Sequence, residues 1–251
     1  GGRAARTGAP TRCSTRHRAM FSDEAKPVEA LLVSARTPLT VWLAFFFPAI
    51  AGLLFGYDIG AASGAIKSLG TTSNVLSSVL TSSSLGGAFV GTAMTFVVGQ
   101  PLGRRREIIV GALLYLCGSA LTVLAPGAAV VGCVIGGRVL YGLGIAFSMH
   151  AAPVYISETA PASMRGLLVS LKEAFIVGGI LLGFGVSALC DVPSLHLGGH
   201  EWRIIWAVPL PLALAVLAGM WALPPSPRWL LVSARSQPKA RSGADASADS
   251  P

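Results

Sequence analysis

Six long apolar segments set the strongest limit on what this chain can fold into. They lie near residues 39–64, 75–98, 107–125, 129–152, 167–189 and 203–223. Each can cross the hydrocarbon core of a membrane as a helix, since about 20 residues suffice for about 30 Å. Only 12% of the 251 residues are charged, whereas soluble domains carry about 25%. We therefore predict an all-α, multi-pass integral membrane protein.

The distribution of Lys and Arg predicts the orientation of these helices. Seven of the 19 basic residues lie in residues 1–38, and eight more follow the second, fourth or sixth segment. The opposite face has only Lys67 and Arg203. Since basic residues concentrate on the cytoplasmic side, both ends of the sequence are predicted there. The net charge of +8 thus indicates topology, and no nucleic acid partner is expected because no basic patch contains interleaved aromatic residues.

Composition divides the chain into three parts. Residues 1–38 form a basic N-terminal tail whose composition matches either an organellar transit peptide or a disordered segment. Residues 39–223 form the six-helix bundle. Residues 224–251 are expected to hold a short helix on the cytoplasmic face, capped by Ser226 with Pro227 in its first turn, and then a disordered tail.

A run of glycines surrounds Asp58, which is an acidic residue inside the first apolar segment. Glycines at positions 52, 56, 60 and 64 recur every four residues, so they form one stripe along a helix. Such a stripe lets a second helix approach closely. Asp58 lies about 200° around the helix from Gly56 and from Gly60, so it must face another partner or a water-filled cavity. Facing lipid would be costly for a carboxylate.

Arg138 in the fourth segment is the predicted partner of Asp58. The first segment runs outward and the fourth runs inward, which puts the two charges about 9 and 14 Å below the outer face. A difference of about one helical turn lies within the reach of an Arg side chain. Two interpretations stay open, a structural ion pair or a titratable switch that takes up a proton when the pair opens.

The remaining polar groups inside the segments are few. Glu173 follows Lys172 about 12 Å along the fifth helix from Arg165, so it either extends toward the membrane surface or faces a polar cavity. We expect His150 to be packed or interfacial, and Glu107 lies at the edge of the third segment. No residues show the spacing of a catalytic triad or metal site, so no enzymatic activity, cofactor or metal is predicted.

Six motifs between residues 45 and 231 resemble the N-terminal half of the sugar porters of the major facilitator superfamily. They are FGYDIG (Phe55 to Gly60), LGRRR (Leu102 to Arg106), GRVLYGLGIA (Gly137 to Ala146), PVYISETAPASMRG (Pro153 to Gly166), SLKEAFIVGGILLGF (Ser170 to Phe184) and PPSPRWLL (Pro224 to Leu231). The sequences of these motifs are most similar to the plant and algal D-xylose–proton symporter-like group and to vacuolar or plastidic glucose transporters.

The resemblance implies a fold, an activity and partners. The family has twelve helices in two six-helix halves, each built from two inverted three-helix repeats, so this chain corresponds to one half. It implies proton-coupled symport of a hexose or pentose by alternating access. The implied partners are the monosaccharide, the proton, the lipid bilayer and a second six-helix half. A plastid envelope or vacuolar membrane is favoured over the plasma membrane.

The resemblance also implies roles for individual residues. Asp58 and Arg138 match the proton-coupling pair of the family. Phe55, Glu173 and Ile180 match positions close to the sugar. An intracellular charge network, which latches the two halves together, matches Arg104, Arg105, Glu158, Arg165 and Arg228.

Two departures from the family pattern weaken that network. Gln100 and Pro225 stand where the family has Asp and Glu, so two carboxylates are lost. Two alternative functions stay open beside proton-coupled symport. One is proton-independent facilitation of sugar transport, and the other is a truncated, non-transporting half that acts as an assembly partner.

Overall fold

The computed structural model describes residues 38–70, 73–192 and 200–223. The predicted N-terminal tail up to residue 37 and the predicted helix and tail at residues 224–251 lie outside the described residues, and so does Arg228. Internal contacts divide the chain into residues 1–41 and residues 42–251.

The described residues fold as helices and contain no strand. Six spans are long and apolar enough to cross a membrane, the sixth being formed by two consecutive helices. The helices are α1 (Pro38–Ser68), α2 (Asn74–Leu102), α3 (Arg104–Val123), α4 (Val130–Thr159), α5 (Arg165–Cys190), α6 (Glu201–Ala207) and α7 (Pro209–Ala222), with one turn of 3₁₀ helix at Gly127–Ala129.

The predicted glycine stripe is confirmed as a packing face of α1. Gly52, Gly56, Gly60 and Gly64 lie against α5, and we call this contact the glycine seam. A methyl group at Gly56 would overlap the carbonyl oxygen of Ile176, and one at Gly60 would overlap that of Ile180. The backbones therefore approach more closely than any larger residue permits, which is how membrane helices gain packing energy without a hydrophobic driving force.

The helices extend further than the apolar segments predict. The expected connection from Gly99 to Arg106 is nearly eliminated, because α2 continues to Leu102 and α3 begins at Arg104. Gly103 alone reverses the chain, with a φ of 81° that glycine adopts at no steric cost. Likewise α4 continues to Thr159 instead of ending near residue 152, so Glu158 lies on a helix and not in a connection.

The sixth span covers Glu201–Ala222, close to the predicted 203–223, and is divided into two helices at Val208. α6 ends at Ala207 and α7 begins at Pro209. Proline has no backbone N–H and its ring clashes with the preceding turn, so a helix breaks or bends where it stands. The break leaves the carbonyl of Ile205 without its usual helical donor, which would be the N–H of residue 209.

Substitutions at two neighbouring glycines of α5 test the closeness of the seam. A methyl group at Gly179 would overlap the carbonyl oxygen of Leu53, whereas one at Gly178 meets no atom within 4 Å. We expect Gly179→Ala to lower the free energy of unfolding by about 1–3 kcal/mol through overpacking. Gly178→Ala is the matched control and should be neutral or stabilising by up to about 1 kcal/mol. Thermal unfolding in detergent measures both, and equal effects would contradict the close approach.

Candidate functional site

Asp58 and Arg138 meet in a two-point ion pair between α1 and α4. Arg138 donates from Nη1 to Asp58 Oδ1 at 3.1 Å and from Nη2 to Oδ2 at 3.3 Å. Both side chains are nearly buried, with 4% of Arg138 and 10% of Asp58 exposed. The structure thus brings together the two residues that the depth comparison paired. Parallel hydrogen bonds of this kind combine charge with a fixed geometry.

Arg138 also contacts three neutral groups. Its Nη2 lies 3.0 Å from Ser84 Oγ and 3.5 Å from the carbonyl oxygen of Thr81, both on α2. Its guanidinium carbon lies 5.9 Å from the centre of the Trp206 ring on α6. An aromatic face within about 6 Å attracts a cation. Arg138 would therefore keep polar and aromatic partners if Asp58 became neutral.

A small cavity adjoins the ion pair. Its volume is about 10 Å³, which is about the space that one water molecule needs. It is lined by residues of α1, α3, α4, α6 and α7: Tyr57, Asp58, Gly118, Ser119, Thr122, Arg138, Tyr141, Trp206 and Pro209. A monosaccharide does not fit there, so these residues form a charge site and not an enclosed sugar site.

Two tyrosines hold the helices around the pair in place. The Tyr57 hydroxyl, next to Asp58 in sequence, donates to the carbonyl oxygen of Ile205 at 2.6 Å. This is the carbonyl that the break before Pro209 leaves without a helical donor. The Tyr141 hydroxyl donates at 2.9 Å to the carbonyl oxygen of Leu54, which lies within the regular part of α1.

The three residues matched to the sugar lie on the two helices of the glycine seam. Phe55 is half-buried on α1 against the hydrophobic core, and Ile180 is half-buried on α5. Glu173 is 62% exposed and accepts from the Lys172 Nζ at 2.7 Å, whereas the Lys172 side chain is only 5% exposed. The buried amine therefore holds a carboxylate that faces away from the packed interior.

The residues matched to the intracellular network do not pair with one another in the part of the chain that the structure describes. Arg104 lies 3.6 Å from Glu107, and Arg105 donates to the last turn of α7, at Met220 and Trp221. Arg165 is exposed. Glu158 has a buried Oε2 without a hydrogen-bond partner among the described residues.

Sequence reasoning missed a second pair, between Glu107 on α3 and His150 on α4. Glu107 Oε1 lies 2.6 Å from His150 Nδ1, and the glutamate is completely buried. A signal was present in the sequence. Gly118 packs on Gly137 and Gly111 on Gly144, and in this antiparallel register Glu107 lies level with residue 148. The depth comparison that paired Asp58 with Arg138 would have paired these two residues as well.

Comparison with known protein families finds one match. The sequence model of the family described as "Sugar (and other) transporter" matches residues 44–250. Among curated proteins, the chain is 47% identical over 228 residues to D-xylose-proton symporter-like 3, chloroplastic, of Arabidopsis thaliana, covering 85% of this chain and 39% of that protein. It is 35% identical to the galactose-proton symporter of Escherichia coli strain K12, covering 76% of this chain and 40% of that protein.

Solved structures of sugar transporters also align with this chain. The inward-open xylose transporter XylE from E. coli aligns with a TM-score of 0.69 at 28% identity, covering 76% of this chain and 50% of that one. A crystal structure of D-xylose-proton symporter aligns with a TM-score of 0.66 at 28% identity, covering 78% and 51%. The described helices therefore have the fold of one six-helix half of a major facilitator transporter. The chain spans about two-fifths of the length of the curated relatives and half of the solved ones.

Removal of either tyrosine hydroxyl tests how the break in the sixth span is stabilised. Tyr57→Phe leaves the carbonyl of Ile205 without a donor, and we expect a loss of about 1–3 kcal/mol in unfolding free energy. Tyr141→Phe is the matched control, because the carbonyl of Leu54 still accepts from the N–H of Asp58 in α1. This substitution should lower the unfolding free energy by about 1 kcal/mol or less. Thermal unfolding of both variants in detergent distinguishes them, and a larger loss in Tyr141→Phe would contradict this account.

Proposed function

The chain belongs to the sugar transporter family of the major facilitator superfamily, and on that premise we propose that it forms the N-terminal half of a proton-coupled sugar symporter. The observation that carries the proposal is the nearly buried Asp58–Arg138 pair. Charges inside a membrane are costly and mark ion or proton pathways when they occur. The proposed substrates are a proton and a monosaccharide, either a hexose or a pentose.

The pair has the properties that a proton switch requires. Protonation of Asp58 removes one charge and weakens both hydrogen bonds from Arg138. Arg138 then keeps Ser84, Thr81 and the face of Trp206 as partners, so opening the pair leaves no bare cation. Because these partners lie on α2 and α6, movement of the guanidinium alters contacts among four helices. Protonation can thereby bias the rocking of one half against the other.

Glu173 supports the proposal that sugar passes beside α5. A carboxylate that is mostly exposed on a membrane helix needs water or protein, because facing lipid is costly. Its partner Lys172 makes the pair neutral overall, which suits hydrogen bonding to uncharged hydroxyl groups. Phe55 supplies an aromatic surface, and Ile180 an apolar one, on the same pair of helices. We assign these three residues to the sugar pathway.

The second half of the transporter is the proposed partner of the uncovered helices. Only 17% of the residues in the apolar window of α5 and 33% of those in α2 are buried, against 61% in α1. Lipid can cover apolar faces, but it cannot accommodate Glu173. The proposal is therefore that a further six-helix unit covers this side and completes the sugar site. Arg104, Arg105, Glu158, Arg165 and Arg228 are proposed to latch the two halves, with Glu158 Oε2 still lacking a donor among the described residues.

The protein is a multi-pass membrane protein, and a plastid envelope or vacuolar membrane is its proposed location. The support for the plastid is the name of a relative, which is described as chloroplastic. Import of a fluorescent fusion that carries residues 1–37 into isolated plastids would distinguish the two membranes.

Substitution of Asp58 tests the proton switch in the full-length protein reconstituted into liposomes. Asp58→Asn cannot take up a proton, so proton-driven accumulation of labelled D-xylose or D-glucose should fall to an inside-to-outside ratio of about 1. Exchange of sugar across the membrane should persist, because exchange needs no net proton movement. Accumulation is measured with an imposed pH gradient, and exchange by counterflow.

Asp191→Asn provides the matched control for this experiment. Asp191 also pairs with a cation, Lys67 at 2.7 Å, but both side chains are exposed at the end of the spans. The control should accumulate sugar as the unmodified protein does. Unchanged accumulation in Asp58→Asn would contradict the switch. If sugar uptake by the unmodified protein does not depend on the pH gradient, a facilitator is favoured. If the unmodified protein takes up no sugar, a non-transporting half is favoured.

A further inference from the structure

A second pair of titratable groups, of which only the acid is buried, lies at the end of the bundle where α2 meets α3. Glu107 is in the first turn of α3, and His150 is on α4, nine residues before the helix ends at Thr159. The pair is separate from the Asp58–Arg138 site, since Glu107 and His150 lie eleven and twelve residues along their helices from Gly118 and Arg138. None of the roles proposed above uses either residue.

We propose that Glu107 and His150 form a second proton-binding site, which fastens α3 to α4 more strongly when His150 carries two protons. The ligand is the proton itself. The proposal does not depend on sugar transport, because the site is complete within the described helices.

The geometry requires a hydrogen between the two side chains. His150 Nδ1 and Glu107 Oε1 are 2.6 Å apart, just below the usual range of about 2.7–2.9 Å for charge-assisted N–H···O hydrogen bonds. Two lone pairs would repel at that distance, so Nδ1 donates to the carboxylate or the carboxyl group donates to Nδ1. When Nδ1 donates, the neutral ring leaves Nε2 free to bind a further proton. When the carboxyl group donates, Nε2 already carries the ring hydrogen, and transfer of the shared hydrogen to Nδ1 gives the doubly protonated ring opposite a carboxylate.

The surroundings allow a further proton to reach the ring. Glu107 is completely buried, so its charge is little screened by water, whereas 38% of the His150 side chain is exposed and can exchange protons with solvent. Histidine is the side chain whose charge normally changes between about pH 5 and 8. A doubly protonated ring would then oppose a buried carboxylate directly.

The other groups around the carboxylate leave room for this role. Arg104 on the same helix has its Nη1 3.6 Å from Glu107 Oε2, which is too far for a hydrogen bond. Oε2 has no hydrogen-bond partner among the described residues. On α2 a methyl group at Gly99 would lie 3.0 Å from Glu107 Oε1, so the missing side chain gives the carboxylate its space. Arg104 on α3 is therefore a third charged group beside the pair.

A double-mutant cycle at two pH values tests the site in the purified full-length protein without sugar. The variants are Glu107→Gln, His150→Gln and the double variant, compared with the unmodified protein by thermal unfolding at about pH 5.5 and pH 8.5. We expect the two substitutions to be coupled by about 2–4 °C in Tm at the lower pH. At the higher pH the coupling should be at most about a third of its value at the lower pH, because a histidine ring ordinarily carries a single proton there.

Each outcome decides for or against the proposal. Equal coupling at both pH values would identify an ordinary hydrogen bond without a second proton, and no coupling would mean that the pair does not form; either overturns the site. If Glu107→Gln does not fold, the Tm difference between the unmodified protein and His150→Gln must still widen at low pH. His200→Gln, at the opposite end of the bundle, is the control and should show no such widening. Because no sugar is present, a negative result leaves the symport proposal intact.

Discussion

The ion pair between Asp58 and Arg138 is the interaction on which the rest of this bundle depends. A carboxylate and a guanidinium inside a membrane are tolerable only together, and the geometry that joins them must be held by packing. The glycine seam turns one face of α1 onto α5, which leaves Asp58 on the side that faces α4. α2 and α6 then surround Arg138 with a hydroxyl, a carbonyl and an indole ring. Four helices thus meet at one charge.

The helices and this pair could be predicted because their signals are local or periodic. The length of the apolar segments predicts the spans, and the four-residue spacing of the glycines predicts the seam. The rise per residue of a helix allows the depths of Asp58 and Arg138 to be compared. The ends of the helices were predicted less well. Apolar composition records where lipid begins, whereas a helix continues as long as its backbone hydrogen bonds can form. For that reason α4 extends past residue 152 to Thr159 and the expected loop at Gly99 shrinks to Gly103.

Contacts that depend on the register between helices could not be read from one segment at a time. The bond from Tyr57 to the carbonyl of Ile205 exists because Pro209 removes a donor 152 residues further along the chain. The Glu107–His150 pair likewise needs the antiparallel register of α3 and α4, which small residues set at Gly111 and Gly118. Helix rise alone puts Glu107 and His150 at similar depths, and the register shows that α3 and α4 bring the two side chains together.

The two acid–base pairs differ in the other partners that their charged groups have. Arg138 has neutral partners already within reach, so in the proposed switch protonation of Asp58 would move a cation from one set of contacts to another. Among the described residues Glu107 Oε2 has no hydrogen-bond donor, and Arg104 stands 3.6 Å away. Proton binding is thus proposed to open the first pair. In the second pair a further proton on the histidine would strengthen a contact that is already formed, so proton binding there would hold α3 more firmly against α4.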